Sequence, residues 1–529
     1  MNWITRFLAP ASLAISVCCP KVQLQTIFYH HLNIFKALFV SSKFSIGNCV
    51  KYSYMDNPHC DLTSDISDSC ADGIKDIDFT LQKLSVTNTF DKNVNNLGVN
   101  FLNNDHNSLI KKRLIDKKKY KDIRKWKKVD KGNAAGTSKD SFIFKLLSFN
   151  ILAQDLLETH SYLYRTHDKK ALPWEHRKPL LMEEILELNA HVICLQEVQY
   201  QYLQEILIPF QENGFTHLYK KRTNDKKDGL LVLYKEDLFN LLEFSKVELY
   251  QNGIELLSRD NVGLVAKFSL KESPETKFVV ATTHLLFNPR RNDVRLGQIQ
   301  LLFAEIERIA FVENTLTGPR YLPIVLSGDF NLEPYSGVYN FVTEGSIEFV
   351  GKGRNLEESD YRCLSNSLIP PHLYVTDECQ HLNVLSKRLS GIGSGKIMLR
   401  NAENQYQPKE DDLTNDLLES TSFNSKTNNY QKIEISDGHY VTFSSGLLTH
   451  PFRFKSVYNH TDKNGRSEAT TFQNRWITVD YIFYSQLTPL EKYRLPTAEE
   501  CSEFLPTIPN AIVGSDHFCL GASFLLKKR

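Results

Sequence analysis

The stretch that decides the fold is Leu326-Ser327-Gly328-Asp329-Phe330-Asn331, which ends the short apolar run of YLPIVL. An apolar run of this length predicts a buried strand. We expect Gly328 to let the backbone turn sharply at the strand's end, and Asp329 and Asn331 to lie on the same side of the chain. Folds of the α/β type usually carry their chemistry at the carboxyl ends of such strands. For this stretch alone, an aspartate-containing turn without a chemical role is the alternative.

The same pattern recurs at other predicted strands. Runs such as FIFKLLSFN, HVICLQE, FVVATTH and ITVDYIF end in, or are interrupted by, side chains that bind metal ions, carry protons or donate amide hydrogens. The residues concerned are Asn150, Glu197, His284, Asp329, Asn331, Asp480, Asp516 and His517. Between these runs, apolar residues at helical spacing predict amphipathic helices, as over residues 177–189 and 293–311. Strands alternating with helices indicate an α/β fold with more than one sheet.

This set of side chains suits the metal-assisted hydrolysis of a phosphate ester. Mg²⁺ takes oxygen ligands and keeps several waters, so we expect Glu197 to bind it, with Asp516 as a second ligand. The cation would polarise a phosphoryl oxygen and neutralise developing charge. A histidine titrates near neutrality, so we expect His517 to accept a proton from water while Asp480 holds it in the correct tautomer.

Uncharged donors complete the set, and rival chemistries lack their motifs. Asn150, Asn331 and His284 would donate hydrogen bonds to phosphate oxygens without trapping the product. The sequence contains no GxSxG motif, which argues against a serine hydrolase triad. It contains neither GxxxxGK[ST] nor GxGxxG, so no nucleotide-cradling loop is predicted.

Composition and charge are consistent with this chemistry. The chain has 41% hydrophobic and 24% charged residues, as an ordinary globular protein does. The net charge of +1 hides two basic regions: residues 1–55 hold five Lys and Arg and no acid, and residues 111–131 hold twelve Lys and Arg against three Asp. The rest of the chain is therefore acidic, and an acidic enzyme handling phosphate needs a metal ion to offset its own field. The ten cysteines show no paired spacing beyond the adjacent Cys18 and Cys19, which favours a reducing compartment without disulfides or structural zinc.

Several regions differ in composition. Residues 1–55 are typical of a mitochondrial transit peptide, less closely of a secretory signal, or of a disordered leader. We expect residues 56–141 to be disordered, with a basic block at 111–131 that binds RNA phosphates, directs nuclear import or is merely solvated. The catalytic domain is expected over residues 142–528, with a flexible insertion at about 385–435. No apolar run is long enough to predict a membrane span.

Six blocks, in the order SFNIL, CLQEV, TTHLL, SGDFN, VDYIF and GSDH, resemble the signature of the endonuclease/exonuclease/phosphatase superfamily. Longer stretches, including SFNILAQDLLETHSYLYR, LPWEHR, THLLFNPRRNDVRLGQ and VYNHTDKNGRSEATTF, resemble its nocturnin/deadenylase-like branch and, within that branch, the angel proteins. The resemblance covers residues 142–526. It departs from the pattern only at flanking positions: Phe149 stands where relatives often have tyrosine, and Leu332 and Glu333 stand where smaller residues are common.

The resemblance implies a four-layer α/β sandwich in which two packed mixed sheets carry helices on their outer faces. It implies the same metal ligands and base as the chemical argument, with Mn²⁺ as an alternative to Mg²⁺. In this family pattern Asp329 and Asn331 would position the attacking water and the phosphate. Asn150 and His284 would contact phosphate or support Glu197.

The resemblance also implies a substrate, which is the 3′ end of RNA. The activity associated with the angel group is hydrolysis of 2′,3′-cyclic phosphates, and 3′-to-5′ removal of poly(A) is the alternative. Both reactions deliver water in line to a phosphodiester beside a metal ion, so the catalytic residues do not separate them. Arg165, Arg290 and Arg291 are candidate contacts for RNA phosphates. We expect a monomer in the cytoplasm or nucleus, with the mitochondrion as the competing location.

A hypothesis of another class comes from Tyr202, Leu207 and Ile208, which fit the Tyr-x4-Leu-hydrophobic pattern of helices that dock on the cap-binding translation initiation factor. A binding protein that regulates translation would use such a helix. The alternative is that Leu203, Ile206 and Leu207 simply face the core of the catalytic domain. Burial of Tyr202 and Leu207 in the folded domain would remove the basis of the docking hypothesis.

Overall fold

The structure, a computed structural model, describes residues 111–129, 140–389, 431–436, 438–505 and 507–529. The predictions for residues 1–55, for the polar stretch up to residue 110 and for most of the expected insertion lie outside these residues. None of the described helices has the length and apolarity needed to cross a membrane.

In chain order the described strands are β1 (Trp126–Lys128), β2 (Ser141–Asn150), β3 (Val192–Gln196), β4 (Phe215–Lys221), β5 (Gly229–Lys235), β6 (Phe239–Glu248), β7 (Val262–Leu270), β8 (Lys277–His284), β9 (Phe311–Thr315), β10 (Gly318–Tyr321), β11 (Ile324–Asp329), β12 (Ser346–Glu348), β13 (Gln431–Ser436), β14 (His439–Phe443), β15 (Leu447–Thr449), β16 (Lys455–Ser456), β17 (Thr471–Phe472), β18 (Trp476–Ile477), β19 (Asp480–Ser485), β20 (Thr488–Tyr493) and β21 (Leu520–Lys527). Residues 111–123 are helical. The described α-helices that follow are α1 (Gln154–Thr159), α2 (Trp174–Glu187), α3 (Leu203–Gln211), α4 (Asn292–Ala310), α5 (Gly337–Glu344), α6 (Leu382–Leu389) and α7 (Ala498–Phe504).

Two mixed sheets form the centre of the molecule. The first has the order β1-β20-β21-β2-β3-β5-β4, and the second has the order β16-β19-β11-β8-β7-β6. In each sheet one pair of neighbours is parallel, β2 with β3 and β8 with β11, and the other pairs are antiparallel. The parallel pairs matter for function because their carboxyl ends meet at one edge of each sheet.

The two sheets pack face to face around an aromatic core. Phe144 of β2 meets Phe278 of β8 with ring centroids 5.0 Å apart, and Val232 and Phe268 are buried in the same cluster. Helices α2 and α3 cover the outer face of the first sheet, and α4 and α5 cover the outer face of the second. This arrangement confirms the predicted four-layer α/β sandwich.

Six strand ends meet at one edge of the sandwich, which we call the site edge. Strands β2, β3, β8 and β11 end there, and β19 and β21 begin there because each runs antiparallel to a neighbour. The register aligns Asp329 with His284 across the parallel pair and with Asp480 across the antiparallel pair. Residues far apart in the sequence are thus brought together by strand pairing alone.

Gly328 is required for close packing of strands, and it does not form the turn expected from the sequence. It lies within β11 opposite Thr283 of β8, with φ at +140°, and a Cβ at this position would lie 2.0 Å from the carbonyl oxygen of Thr283. The chain turns three residues later at Asn331, whose φ is +53°. A side chain at position 328 would therefore push apart the two strands that carry His284 and Asp329.

The structure also corrects the predicted domain boundary at residue 142. Residues 111–123 form a helix, and β1 pairs with β20, so this part of the basic block packs on the sandwich. The block contains Tyr120 and Arg124, which are buried, and Trp126, which is partly buried. A composition dominated by lysine conceals the burial of Tyr120 and Arg124, whereas a tryptophan within a charged block, as at Trp126, favours an ordered contact. Residues at both ends of the expected insertion are also regular, as α6 and β13.

Helix α4 is tied to the segment before α6 by a buried acidic side chain. Glu305 is fully buried. Its Oε1 lies 2.6 Å from Nη2 of Arg308, and its Oε2 lies 3.1 Å from Nε2 of His381. Burial alone would raise the pKa of Glu305, but His381 and Arg308 lower it to about 2. Because the folded pKa lies below the unfolded value, this contribution to stability is present at neutral pH and is lost as the pH falls toward 2.

We therefore expect Glu305→Gln to lower the free energy of unfolding by about 3 kcal/mol at pH 7, which follows from a pKa difference of about two units. The difference between variant and wild type should shrink as the pH falls below about 4.3, where the unfolded chain takes up the proton. Urea unfolding at several pH values measures this difference. Glu313→Gln is the control, because Glu313 forms an exposed pair with Arg320 and should change stability by less than about 1 kcal/mol. Equal effects of the two substitutions at pH 7 would contradict the assignment.

Candidate active site

The side-chain amide of Asn150 joins the two sheets at the site edge. Its Nδ2 donates to Oε1 of Glu197 at 2.9 Å and to Oδ2 of Asp329 at 3.0 Å. Glu197 follows β3 of the first sheet, and Asp329 ends β11 of the second. The Oδ1 atom of Asn150 accepts a hydrogen bond from the backbone N–H of Leu152 at 3.0 Å, which fixes the orientation of the amide. One amide group thereby holds two buried carboxylates at a defined separation.

The backbone of Glu197 is strained, and the pKa of its carboxyl group is raised. Its backbone has a φ of +58°, in the left-handed region that residues with a side chain rarely adopt. Its Oε2 accepts a hydrogen bond from the N–H of Ala153 at 2.9 Å. Burial and the nearby charges of Asp516 and Asp228 raise the pKa of Glu197 to about 7. Strain and perturbed pKa values of this kind are concentrated at functional sites.

Asp329 is the centre of a second group of contacts. Its Oδ1 accepts a hydrogen bond from the backbone N–H of Asn331 at 2.9 Å, and its Oδ2 lies 3.5 Å from Nε2 of His284. Asn331 in turn donates from Nδ2 to the carbonyl of Leu285 at 3.1 Å. Burial and the adjacent Asp480 raise the pKa of Asp329, and burial lowers the pKa of His284. The imidazole of His284 is therefore biased toward its neutral form.

His517 forms an oriented pair with Asp480. Nδ1 of His517 lies 2.8 Å from Oδ2 of Asp480, and Nε2 lies 3.7 Å from Oδ2 of Asp329. Burial would lower the pKa of His517, but the charges of Asp480, Asp329 and Asp516 raise it well above its usual value. The hydrogen bond at Nδ1 leaves Nε2 facing the other carboxylates of the site.

Asp516 belongs to the same site, and sequence reasoning missed the residues that hold it. Oδ2 of Asp516 accepts a 2.7 Å hydrogen bond from the hydroxyl of Tyr164, and Oδ1 lies 4.0 Å from Nε2 of His517. The fully buried Arg177 donates from Nη1 to the carbonyls of Ile151 at 3.0 Å and Gly514 at 3.2 Å. It thus braces the segments that follow Asn150 and precede Asp516. The LPWEHR stretch that contains Arg177 was noted for the family resemblance alone.

A second buried arginine, also missed, fixes the loop after His284. Arg295 of α4 is fully buried and donates to the carbonyls of Leu286, Phe287 and Asn288 at 2.8 to 3.1 Å. The neighbouring Gln298 accepts a hydrogen bond from the N–H of Leu286 at 3.1 Å. Both residues lie on the helix predicted over residues 293–311, and the sequence offers no signal that separates them from polar residues on the solvent-facing side of an amphipathic helix. Helix α4 therefore sets the path of the loop that Asn331 contacts.

The site contains atoms that suit a divalent cation. One ligand atom from each of Asp329, Asp480 and His517 lies within 4.8 Å of the others. Glu197 and Asp516 are the ligands expected from the sequence. Burial of Glu197 and the charge of Asp516 raise the pKa of Glu197, so the charged form of Glu197 carries an energetic cost. A bound cation would remove this cost, so the buried carboxylates fit a metal ion.

The three predicted RNA-binding arginines are not joined to the cluster by any contact among the described residues. Arg165 and Arg290 are exposed on loops. The guanidinium of Arg291 lies 2.8 Å from Asp293 and is 15% exposed, so it already has an acidic partner. Their expected role stays a prediction.

The predicted docking helix is built into the domain. Leu207 is 1% exposed in the core beneath the first sheet, and Tyr202 stacks on Trp174 with ring centroids 4.7 Å apart. Ile208 alone is exposed, at 53%. A partner could reach Leu207 only after α3 unfolds, so the structure does not favour docking of this helix on a translation factor.

The chain is similar to known proteins in both sequence and fold. Residues 147–517 match the Endonuclease/Exonuclease/phosphatase family. Protein angel homolog 2 of Bos taurus is 37% identical over 361 residues, which cover 66% of this chain and 60% of the relative. Protein angel homolog 1 of Homo sapiens is 33% identical over 437 residues, covering 72% of this chain and 63% of the relative.

A solved structure also matches the fold. The crystal structure of ANGEL2, a 2′,3′-cyclic phosphatase, in complex with adenosine-2′,3′-vanadate has a TM-score of 0.59 and 34% identity, covering 76% of this chain and 98% of that chain. The chain spans about 60% of the length of the curated relatives it matches first. The family match includes every residue of the predicted cluster, from Asn150 to His517. The chain therefore belongs to the endonuclease/exonuclease/phosphatase family.

Proposed function

We propose that this protein is a metal-dependent phosphoesterase that hydrolyses 2′,3′-cyclic phosphates at the 3′ ends of RNA. The observation that carries the proposal is the convergence at one edge of an oriented histidine and a pair of buried carboxylates. His517, held by Asp480, lies 3.7 Å from Asp329, and the Asn150 amide joins Asp329 to Glu197. Membership of the endonuclease/exonuclease/phosphatase family supports phosphate ester hydrolysis as the reaction class.

His517 is proposed to accept the proton of the attacking water at Nε2. Asp480 binds Nδ1, so the acceptor nitrogen is directed toward Asp329 and the open part of the cluster. A cation held near Asp516 would offset the carboxylates that raise the pKa of His517. The pKa of His517 would then lie closer to 7, where imidazole is an effective base. Asp480 is thus an orienting group, as is the acid of a Ser-His-Asp triad.

Asp329 and Asn331 are proposed to position the water and the phosphate. The Asp329 carboxylate accepts hydrogen bonds from Asn150 and from the N–H of Asn331, so its position does not depend on the substrate. His284, whose Nε2 lies 3.5 Å from Oδ2 of Asp329, is proposed to donate to a phosphate oxygen. Donors fixed before the substrate binds stabilise developing charge without reorganisation.

Glu197 and Asp516 are proposed to hold the divalent cation, with Mg²⁺ favoured over Mn²⁺. Hard cations of this kind prefer carboxylate oxygens and water. When bound, the ion would polarise the phosphoryl group and offset its developing charge. Asp329, Asp480 and His517 are proposed to act on the attacking water and not to bind the metal ion. The reason is that Nδ1 of His517 and a carboxylate oxygen of Asp480 already bind each other.

The choice of substrate rests on the relatives. ANGEL2 is a 2′,3′-cyclic phosphatase that was crystallised with adenosine-2′,3′-vanadate, and it shares 34% identity with this chain. Poly(A) removal is the alternative outcome of the same chemistry. The described cysteines are free, which agrees with a reducing compartment, and we propose a monomer in the cytoplasm or nucleus, with the mitochondrion as the competing location.

A paired substrate assay tests the proposal. The purified protein is given one RNA that ends in a 2′,3′-cyclic phosphate and one oligo(A) that ends in a 3′-hydroxyl. We expect the first to be opened and the second to stay intact, and we expect His517→Ala to lower kcat by about 10²- to 10⁴-fold. The exposed His372 gives a matched control, since His372→Ala should leave turnover unchanged. Shortening of the oligo(A) without opening of the cyclic phosphate would overturn the choice of substrate.

Removal of the metal should abolish turnover, because the carboxylates of the site then face the phosphate without charge compensation. We expect EDTA to stop the reaction and Mg²⁺ to restore it. Mg²⁺ should also raise the Tm of the wild type through binding to the folded state, and this shift should be lost in Glu197→Gln. The exposed Glu212 provides the control variant Glu212→Gln. An unchanged Tm shift in Glu197→Gln would exclude Glu197 as a principal ligand.

A further inference from the structure

A buried arginine from the segment before the family match contacts the two residues that follow His517. Arg124 lies in the basic block, and its side chain is fully buried. A long cationic side chain is rarely buried unless its donors are satisfied. Arg124 lies more than twenty residues before residue 147, where the family match begins. Its partners therefore show how the preceding segment is connected to the catalytic domain.

The guanidinium of Arg124 bridges the segment that follows β20 and the segment that precedes β21. Nη1 donates to the carbonyl of Arg494, and Nη2 donates to the carbonyl of Cys519. The carbon of the guanidinium lies 4.0 Å from the ring centroid of Tyr493 and 5.6 Å from that of Phe518. Phe518 and Cys519 are the two residues that follow His517. Arg124 therefore grips the backbone directly after the proposed base.

The segment that carries Arg124 is firmly attached to the domain. Tyr120 donates a 2.9 Å hydrogen bond to Glu184 of α2, and its ring lies 6.1 Å from that of Phe518. Trp126 pairs in register with Tyr493 where β1 adds to the edge of β20. The end of its ring also packs on Gly521, where an added Cβ would lie 3.0 Å from it. These contacts hold Arg124 in place from both sides along the chain.

On its other side, the His517 segment is held by β17 and the residue before it. The N–H of Phe518 donates to the carbonyl of Thr470 at 2.7 Å, and the hydroxyl of Thr471 donates to the carbonyl of Asp516 at 2.6 Å. The ring of Trp476 stacks on Phe518 at 5.7 Å. His517 thus lies between two supports, one inside the family match and one contributed by Arg124 from outside it.

We propose that Arg124 is a positioning residue that sets the placement of His517, so that the segment before the family match is part of the working enzyme. The guanidinium has a planar fork of donors, which suits two carbonyls held at fixed positions. Its loss would let the backbone at Phe518 and Cys519 shift, and the imidazole would move relative to Asp329. This inference rests on the proposed hydrolysis, in which His517 accepts the proton of the attacking water.

The test compares Arg124→Met, Arg124→Lys and Lys121→Met in the full chain. Lys121 lies three residues earlier and contacts Glu183 and Glu187 on the surface of α2, so it controls for loss of a positive charge from the same segment. We expect Arg124→Met to lower kcat for the cyclic-phosphate RNA by about 10- to 100-fold with little change in KM, since a small misplacement of a reacting group has effects of this size. Arg124→Lys should recover part of the loss, and Lys121→Met should match the wild type.

Hydrogen–deuterium exchange gives a readout that does not depend on turnover. In Arg124→Met we expect faster exchange confined to peptides covering residues 491–497 and 515–521, the two segments that Arg124 contacts, while peptides covering β3 and β8 stay protected. Wild-type kcat and wild-type exchange in Arg124→Met would overturn the proposal. Faster exchange across the whole domain would also overturn it, because Arg124 would then serve only stability. If Arg124→Met does not fold, the same criteria apply to Arg124→Lys. Absence of turnover in the wild type would refute the proposed function, and the exchange pattern would still decide whether Arg124 positions the His517 segment.

Discussion

The arrangement of this site depends on one side-chain amide that holds two buried carboxylates from different sheets. Asn150 donates one hydrogen to Glu197 and the other to Asp329. Burial and other nearby acids raise the pKa of both carboxylates, that of Glu197 to about 7, and the hydrogen bonds from Asn150 act in the opposite direction. An amide satisfies both acids without adding charge, so the site stays able to attract a cation. The two sheets, which pack through their aromatic core, are thus also linked by a polar contact at the edge that holds the proposed chemistry.

The site is maintained by structure that lies outside it. Glu197 and Asn331 have positive φ values, and such strain persists only where the surroundings fix the backbone. Fully buried arginines supply part of that support: Arg177 braces the segments around Asn150 and Asp516, and Arg295 braces the loop after His284. Each satisfies several backbone carbonyls at once, which a hydrophobic residue of similar size would leave without partners.

The sequence was sufficient for features that depend on local patterns. Apolar runs located the strands that end in Asn150, Gln196, His284 and Asp329, and helical spacing located α4 to within one residue at each end. The order of the six family blocks indicated the four-layer fold. Strands β19 and β21 are antiparallel to their neighbours, so Asp480 lies at the start of β19 and His517 lies just before the start of β21. A pattern of polar residues at the ends of strands does not by itself predict these two positions.

Features that depend on contacts between distant segments were not predictable. A buried arginine looks like a surface arginine in a sequence, so the roles of Arg177 and Arg295 appear only when their carbonyl partners are known. Gly328 was expected to form a turn, yet its neighbour across the strands, Thr283, is what requires a glycine. The charge of the basic block predicts a disordered or RNA-binding segment. Only the structure shows that Tyr120 and Arg124 anchor this segment by packing on Phe518.

The most direct test of this account is the turnover of cyclic-phosphate RNA by Asn150→Ala, measured beside its thermal stability. If the amide holds Glu197 and Asp329 in their working positions, kcat should fall by about 10²-fold or more, as it does when one preorganised donor is removed from other active sites. The variant should still unfold in a single cooperative transition, which shows that the sandwich remains intact. Turnover within a factor of about two of the wild type would contradict the account, because such an effect is far below the loss expected for a preorganised donor.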